Sequence, residues 1–325
     1  MRASAREILD RYQVRKTKKQ KTAFICYMKG LLSGMGYKMR VEGGAAGSRN
    51  IVVGDISKAK VVMTAHYDTA PILPFPNFIT PRSIGIYVLY QAVLTLFFLA
   101  IYAAVEAVAS YLFVTLPLEF LEEVSAEGFI VRFVKTVVPI VLILVGAVLL
   151  MQLMLKGPAN KHTANDNTSG VATLIAIMED LPEHLRDKVA FVFFDNEEVG
   201  LVGSRSFSQS YRSSMKNKLL LNFDCVSDGE DVLFVLPKRA AEYENVIARS
   251  FVSTERYNVI IAKKHVIYPS DQVCFPLGVD VAALKRTKRG LLYMNRIHTS
   301  RDIIFNEENI EFIKDGALAL IEGVS

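Results

Sequence analysis

The stretch KVAFVFFDNEEVG, residues 188–200, joins an uninterrupted apolar run to three acidic residues. Its first part has the composition of a strand that is buried on both faces of a sheet. Asp195, Glu197 and Glu198 follow at the point where that strand should end. Because binding and catalytic residues collect at the carboxyl ends of strands in an open parallel sheet, the stretch predicts a strand that delivers two glutamates to a functional site.

Four further stretches carry histidine or aspartate at a predicted strand end or in a loop. They are KVVMTAHYD (60–68), NDNTSG (165–170), KLLLNFDC (218–225) and RIHTSRD (296–302). Their side chains of interest are His66, Asp68, Asp166, Asp224 and His298. Two histidines with several carboxylates and no thiol suit zinc, which binds imidazole nitrogen and carboxylate oxygen. Taken singly, each stretch is more typical of an ordinary polar turn, so the prediction of a site depends on all five together.

Helix and strand patterns alternate along the chain from Thr168 onward. Before them come a helical pattern over 3–36 and the short strand-like pieces YKMRVE (37–42) and NIVVGD (50–55). This order predicts an α/β fold, a three-layer sandwich with a mostly parallel, mixed central sheet. A chain of 325 residues can bury one large core, or one core and an appendage.

Two uncharged apolar segments, 83–105 and 136–155, interrupt this pattern. Each is long enough for a helix that crosses a hydrocarbon core, which needs about 20 residues, and each is apolar all round. They predict a transmembrane helical hairpin over 83–156 with an acidic connecting loop. The hairpin would be inserted into a catalytic domain whose two parts are 1–82 and 157–325. A pair of buried core helices is the alternative.

The charges near the hairpin predict its orientation. Its connection, 106–131, contains five Glu and no Lys or Arg, whereas Arg82, Lys156 and Lys161 lie at its outer ends. Since basic residues remain on the cytoplasmic side, the protein is predicted to be integral to the cell membrane with a cytoplasmic catalytic domain. Two basic residues near the start of the second segment oppose this orientation.

Charge and composition argue against a nucleic-acid partner and indicate the compartment. The net charge is +5, and eight Lys and Arg lie within residues 1–22. Without Trp or an interleaved aromatic pattern, this cluster indicates the solvated face of an N-terminal helix and no nucleic-acid site. Three cysteines without CxxC spacing favour a reducing compartment, and no secretory signal peptide is predicted.

The five stretches together resemble a known family. The ordered set is His66-x-Asp68, Asp166-Asn167-x-Ser169-Gly170, Glu197-Glu198-x-Gly200, Asp224 and His298-Thr299. It is similar to the di-zinc aminopeptidases of peptidase clan MH, whose relatives include glutamate carboxypeptidases and glutaminyl cyclases. The resemblance covers about 37–70 and 160–325, and the apolar hairpin is additional.

The resemblance implies two zinc ions and assigns five residues as their ligands. Asp166 would bridge the two ions, which two-metal hydrolases hold about 3.5–4 Å apart. One ion would add His66 and Asp224, and the other would add Glu198 and His298. Sites rich in carboxylates also accept manganese or cobalt.

The resemblance also implies two catalytic residues. Glu197 would be the general base, which takes a proton from the metal-bridging water and passes it to the leaving amine. Asp68 would accept the ring proton of His66 and orient that ligand. The paired glutamates would thus have different roles, with Glu197 transferring protons and Glu198 binding metal.

Two positions depart from the family pattern. Ile297 precedes His298 where some members have a tyrosine, so no oxyanion donor can be assigned. Gln272 stands where relatives often have histidine, so specificity does not carry over. The other histidines match no family position and are interpreted as ordinary polar residues; they are His162, His184 and His265.

The predicted function is a membrane-anchored di-zinc metallopeptidase, specifically an aminopeptidase. A carboxypeptidase or dipeptidase is the main alternative and would need arginines for a terminal carboxylate. The candidates for such a cluster are Arg205, Arg286, Arg289 and Arg296. A glutaminyl cyclase is disfavoured because those relatives use one zinc, and a catalytically dead membrane scaffold is disfavoured because no ligand is missing.

The hairpin itself suggests a role in substrate choice. His66 and Asp166 must meet although the hairpin separates them, so both hairpin ends should emerge beside the active-site face. We expect this to favour peptide substrates at the lipid bilayer, such as peptides released from membrane proteins or leader and signal-peptide remnants. The alternative is that the hairpin only anchors the enzyme or drives formation of a homo-oligomer.

Overall fold

The computed structural model describes residues 1–73, 75–115 and 129–324. The chain divides into two compact units. One is formed by Met1–Ile84 together with Pro158–Ser325, and the other is Gly85–Gly157.

The first unit is built on a nine-stranded sheet. Its strands are β1 (Met39–Gly43), β2 (Arg49–Val53), β3 (Val61–His66), β4 (Val189–Phe194), β5 (Leu219–Phe223), β6 (Asp231–Val235), β7 (Asn258–Ala262), β8 (Gly278–Arg286) and β9 (Leu292–Tyr293). The order across the sheet is β1-β2-β4-β3-β5-β8-β6-β7, and β9 pairs with β8. An α/β fold with a mixed central sheet is therefore confirmed.

Parallel pairing is confined to part of the sheet. Strands β4, β3, β5 and β8 are consecutive and parallel, and β6 is parallel to β7. Within the described residues, the other four pairings are antiparallel. Short connections explain two of them, because a few residues between β1 and β2, or between β8 and β9, can reverse a strand but cannot make a parallel crossover. The expectation of a mostly parallel sheet therefore holds for its centre.

Helices cover both faces of the sheet and complete three layers. In the first unit they are α1 (Ala3–Arg11), α2 (Lys18–Gly34), α5 (Gly170–Asp180), α6 (Val202–Ser210), α7 (Arg212–Met215), α8 (Glu244–Ser250) and α9 (Glu307–Gly323). Side chains alternate between the faces along each strand. Met63 packs in one core cluster with residues of α1, α2, α5 and α9, whereas Val62 packs in another with residues of α6 and α7.

The helical pattern predicted over 3–36 forms two helices, α1 and α2, which are separated by residues 12–17. Between them Arg15 turns into the interior. Thr17 then starts α2 with a capping box, in which its hydroxyl accepts from the Gln20 backbone N–H and the Gln20 side chain accepts in return. The cap satisfies free backbone groups and defines a new helix start.

In the described part of the second unit there are two helices, α3 (Ile84–Thr115), which begins in the first unit, and α4 (Phe129–Lys156). Within the described residues one span, Ile84–Val108, is long and apolar enough to cross a membrane, and none of it is buried. The apolar stretch of α4, Ile140–Leu153, is shorter. The two-helix hairpin therefore remains a prediction. The acidic loop was predicted to begin at residue 106, but residues 106–115 continue α3. Residues 116–128 of the predicted loop lie outside the described residues.

Candidate metal centre

Three parallel strands deliver site residues to one edge of the sheet. His66 is the last residue of β3 and pairs in register with Phe194, the last residue of β4. Glu197 and Glu198 follow β4, and Asp224 follows β5 directly. The register therefore brings an imidazole and several carboxylates to the same level, as the alternation of strand and loop predicted.

Asp166 lies between two histidines. Its Oδ1 is 3.3 Å from His66 Nε2, and its Oδ2 is 2.8 Å from His298 Nε2. Asp224 Oδ1 is 3.6 Å from the same nitrogen of His66. Glu198 Oε2 is 3.3 Å from the same nitrogen of His298. One carboxylate thus presents a different oxygen to each of two groups of ligand atoms.

These five side chains form two overlapping groups with the spacing of metal ligands. Within each group, one potential ligand atom from every residue lies within 4.8 Å of the others. The first group is His66, Asp166 and Asp224, and the second is Asp166, Glu198 and His298. Glu197 joins His66 and Glu198 in a third such group. All the residues predicted as ligands, together with the predicted base, are brought to one place.

The electrostatics of the site suit divalent cations. Burial, with the nearby charge of Asp166, raises the pKa of Glu198 to about 8. Burial also raises the pKa of Glu197 well above its usual value. Burial acts to lower the pKa of His298, but the charges of Glu198 and Asp166 outweigh it and raise the pKa to about 10. Packed carboxylates of this kind are costly unless a cation is near.

A buried carboxylate oxygen without a hydrogen-bond partner also indicates a cation site. Glu198 Oε1 is buried and makes no hydrogen bond to another protein group. A buried carboxylate oxygen without a partner is unfavourable unless it binds a proton or a metal. The donor set of two imidazoles and three carboxylates therefore fits zinc.

Asp68 has a wider role than the sequence predicted. Its Oδ1 lies 3.5 Å from His66 Nδ1, which places the carboxylate beside that ring but beyond ordinary hydrogen-bond length. The same carboxylate also accepts hydrogen bonds from two backbone groups, the N–H of Glu197 at 3.0 Å and the N–H of Glu198 at 3.2 Å. Asp68 therefore couples the end of β3 to the loop after β4.

Asp68→Asn is expected to lower kcat/KM by about 10–100-fold, the usual effect of losing a group that orients metal ligands. The amide keeps one acceptor oxygen but turns an N–H₂ toward the second backbone N–H. Steady-state kinetics together with metal content would measure this. Asp55→Asn is the matched control, because Asp55 is an exposed acid at a turn. Wild-type kinetics in Asp68→Asn would contradict the role.

Asp302 is a site residue that sequence reasoning missed. Its carboxylate accepts hydrogen bonds from the backbone N–H of Asn165 at 2.8 Å and of Asp166 at 3.0 Å. Burial and the charge of Asp166 raise the pKa of Asp302 to about 8. The residue stands in the quoted stretch RIHTSRD, but nothing in its type or spacing indicated that it fixes the loop of Asp166.

The basic N-terminal segment is not simply a solvated face, which corrects that prediction. Arg15 is fully buried and Lys21 is 7% exposed. Lys21 forms an ion pair with Asp195 and a hydrogen bond to Asn196, in the loop just before Glu197. Cations from the chain's start therefore reach the acidic loops of the site.

Arg15 contacts two of those loops at once. Its Nε donates to the carbonyl of Tyr67, between His66 and Asp68, and its Nη2 donates to Thr168 Oγ1 at 3.1 Å. Burial lowers the pKa of Arg15 to about 10, against the opposing effect of the charges of Asp68 and Asp166. A planar guanidinium is suited to such a task because its donors point in fixed directions.

Arg15→Met is expected to lower zinc affinity by about 10–100-fold, since the loops that carry His66 and Asp166 lose a common donor. Arg15→Lys should restore part of that affinity, because it keeps the charge but not the fork of donors. Competition with a chelator would measure affinity, and thermal unfolding would be recorded separately. Arg11→Met is the control, since Arg11 is exposed. Lower thermal stability with unchanged zinc affinity would show a purely structural role.

The remaining sequence interpretations concern residues outside the ligand groups. His162, His184 and His265 are exposed, and among the described residues none of them belongs to a potential metal group. Gln272 is buried, and its Nε2 donates a hydrogen bond to a backbone carbonyl of its own loop at 2.7 Å. Ile297 is buried and offers no side-chain donor.

The sequence model of peptidase family M28 matches residues 151–321. The match covers more than half of the chain and includes Asp166, Glu197, Glu198, Asp224 and His298. The chain belongs to peptidase family M28. The prediction of a metallopeptidase is therefore confirmed. His66, Asp68 and Arg15 precede the matched region.

Solved structures of low sequence identity share the fold of this M28 peptidase. The LapA aminopeptidase of Legionella pneumophila is 13% identical with a TM-score of 0.56, covering 99% of this chain and 68% of its own. Glutaminyl cyclase of Porphyromonas gingivalis is 15% identical with a TM-score of 0.55, covering 98% and 97%. A Zn-dependent exopeptidase of Parabacteroides distasonis is 15% identical with a TM-score of 0.54, covering 98% and 96%. Among curated proteins, none matches the sequence significantly.

Proposed function

We propose that this M28 peptidase is a di-zinc aminopeptidase anchored in a membrane by its apolar unit. The observation that carries the proposal is the position of Asp166. Its two carboxylate oxygens face separate imidazoles, 3.3 Å from His66 and 2.8 Å from His298. A carboxylate placed in this way is suited to bridge two ions.

Five residues would hold the metal. His66, Asp166 and Asp224 would bind one zinc, and Asp166, Glu198 and His298 would bind the other. When bound, the ions would polarise the scissile carbonyl and lower the pKa of the attacking water. The zinc-dependent exopeptidase that shares the fold supports the choice of zinc, and carboxylate ligands also admit manganese or cobalt.

Glu197 is proposed as the general base. Glu197 is next in sequence to the proposed ligand Glu198. It also forms a potential metal-binding group with Glu198 and with His66, which belongs to the first ligand group. The Glu197 backbone N–H donates a hydrogen bond to Asp68. This bond restrains the position of the Glu197 carboxylate relative to the metal ligands. Burial raises its pKa, which suits a group that must accept a proton from water and then donate it to the leaving amine.

The arginines favour an aminopeptidase over a carboxypeptidase. A carboxypeptidase needs cations free to bind the terminal carboxylate of the substrate. Arg286 is paired with Asp231, and Arg296 is paired with Asp228. Arg205 is exposed on α6, and Arg289 is exposed in the turn between β8 and β9. No cluster for a terminal carboxylate is found among these four.

The apolar unit is proposed as a membrane anchor, with the catalytic domain formed by 1–82 and 157–325 on the cytoplasmic side. Ile84–Val108 is long enough to span a bilayer. Large apolar side chains along it are exposed, with Leu89 at 63% and Leu96 at 64%. Exposed apolar surface on this scale is unfavourable in water and needs lipid or another partner.

The test is hydrolysis of a small peptide panel by the purified protein in detergent with zinc. Each peptide is offered with a free and with an acetylated N-terminus. Release of the first residue from free peptides alone, abolished by a chelator and restored by zinc, is the expected result. Cleavage of acetylated peptides from the carboxyl end would replace the proposal with a carboxypeptidase. Cyclisation of N-terminal glutamine with release of ammonia would replace it with a glutaminyl cyclase.

A further inference from the structure

The loop that carries His298 is hydrogen-bonded to the two segments through which the chain enters and leaves the apolar unit. On the entering side, the Leu73 backbone N–H donates to the His298 carbonyl at 2.8 Å. On the returning side, Asn160 Nδ2 donates to the Thr299 carbonyl at 3.0 Å. A metal ligand is thus placed between the two connections to the predicted membrane anchor.

These contacts continue toward the first residue of α3. The backbones of Ile79 and Met294 bond to each other in both directions, each at 2.9 Å. The Ile267 backbone N–H donates to the Pro81 carbonyl at 2.9 Å. Pro81 is three residues before Ile84, where α3 begins. The stretch KKHVI that ends at Ile267 therefore lies beside the entering segment.

We use the name collar for the following stretches of the first unit: 70–73, 75–84, 158–163, 263–270 and 294–303. The collar is strongly basic. Its Lys and Arg residues are Arg82, Lys161, Lys263, Lys264, Arg296 and Arg301, and its one acidic residue is Asp302. Asp302 is buried, so it does not offset these charges at the surface. Lys263 pairs with Glu244 and Arg296 with Asp228, whereas Arg82, Lys161 and Lys264 are exposed.

The collar also exposes apolar side chains. Ile267 is 45% exposed and Ile303 is 61% exposed. Ile303 follows Asp302, which holds the loop of Asp166, and Ile267 lies next in sequence to the buried Tyr268. Exposed isoleucines among exposed lysines and arginines are the combination that binds the headgroup region of anionic lipid.

The covalent chain restricts where the collar can lie. If Ile84–Val108 crosses a bilayer, its first residue lies at one interface, and Arg82 lies within two residues of it. The hydrogen bond from Ile267 to Pro81 then holds KKHVI near the same interface. The hydrogen bond from Leu73 to His298 links the metal-ligand loop to that segment.

We propose that the collar rests on an anionic bilayer surface and that the metal centre takes substrates from this surface. The substrate class would be free peptide N-termini close to a lipid-embedded segment. This inference depends on the membrane anchor in the proposed function, and it adds a surface contact that an anchor alone does not require.

The absence of Trp from the sequence provides a direct test. A single introduced Trp reports its own surroundings, without background from others. Ile267→Trp would report on the collar, and Leu89→Trp would report on α3. Val41→Trp is the matched control, because Val41 is 44% exposed on the edge strand β1. Each variant of the full chain is reconstituted in phosphatidylcholine and phosphatidylglycerol vesicles that contain brominated lipid.

Quenching of the fluorescence at Leu89 and Ile267, but not at Val41, is the expected result. If the Trp at position 89 is quenched but the Trp at position 267 is quenched no more than the Trp at position 41, the collar contact is overturned and the anchor is retained. No quenching at Leu89 would overturn the anchor and this inference together, while the peptidase reaction could still be measured. Equal quenching at all three positions would indicate non-specific adsorption and would also overturn it. A collar covered by a second copy of the chain would leave Ile267 unquenched.

The substrate class is tested with one peptide in two forms, soluble and coupled to a lipid anchor. In anionic vesicles, Lys264→Glu is expected to lower kcat/KM for the anchored form on the order of tenfold, with little change for the soluble form. Lys38→Glu, an exposed lysine beside β1, is the control and should affect neither. An equal effect of Lys264→Glu on both forms, or none on either, would overturn the assignment of membrane-presented substrates.

Discussion

Glu197→Gln is expected to lower kcat by about 10²–10⁴-fold, the range attributed to general acid–base catalysis. The amide keeps the size of the side chain and cannot accept a proton from water. Asp68 should still hold the backbone of this position, because its bond is to the Glu197 N–H and not to the side chain. The loss should therefore occur in turnover and not in the assembly of the site.

Metal content separates this result from a general disruption. Glu197→Gln should retain the same number of zinc ions as the wild type, measured by elemental analysis of the folded protein. Glu242→Gln, an exposed glutamate, is the control for the amide substitution. Wild-type turnover in Glu197→Gln would remove Glu197 from the mechanism. Loss of zinc along with turnover would instead make it a ligand, as its place in the third potential group allows.

Asp166→Asn is expected to have the largest effect on metal content, because Asp166 belongs to both ligand groups. The amide has one oxygen able to bind metal, and it lacks the charge that two cations require. We expect the variant to bind less than one zinc ion and its activity to fall to background. His298→Ala, which removes a ligand from only one group, should retain one ion.

The comparison of these two variants tests the bridging position itself. Zinc titration monitored by calorimetry would give the number of ions and the affinity of each. The same titration of Asp187→Asn, an exposed aspartate, gives the reference. If Asp166→Asn still bound two ions with wild-type affinity, the bridge would be wrong. If the wild type bound one ion, the di-zinc mechanism would be replaced by a mono-zinc one.

Much of the site was predictable because its residues follow local patterns. A buried strand is recognisable by an unbroken apolar run, as in VAFVFF before Asp195. Parallel strands must align their carboxyl ends, so residues placed after such runs converge without further information. His66, Glu198 and Asp224 come after such runs, whereas Asp166 and His298 were assigned through the resemblance to the di-zinc aminopeptidases.

The limits of that reasoning are seen in single charged residues. Arg15 and Lys21 belong to a basic stretch that is typical of a solvated helix, yet both are buried. Arg15 bonds to Thr168, which is 153 positions away. A local pattern reports the average environment of a segment, and it does not report where one side chain finds a distant partner.

What the sequence by itself determined was the α/β class, the edge of the sheet that carries the site, and the residues suited to bind metal. The tertiary structure alone decided which groups hold them in place: Asp68 on the Glu197 backbone, Asp302 on the Asp166 loop, and Arg15 between two loops. It also decided that the His298 loop lies between the connections to the apolar unit. The physical reason is that strand burial and ligand chemistry depend on residue type and spacing, whereas these supports depend on hydrogen bonds between segments that only folding brings together.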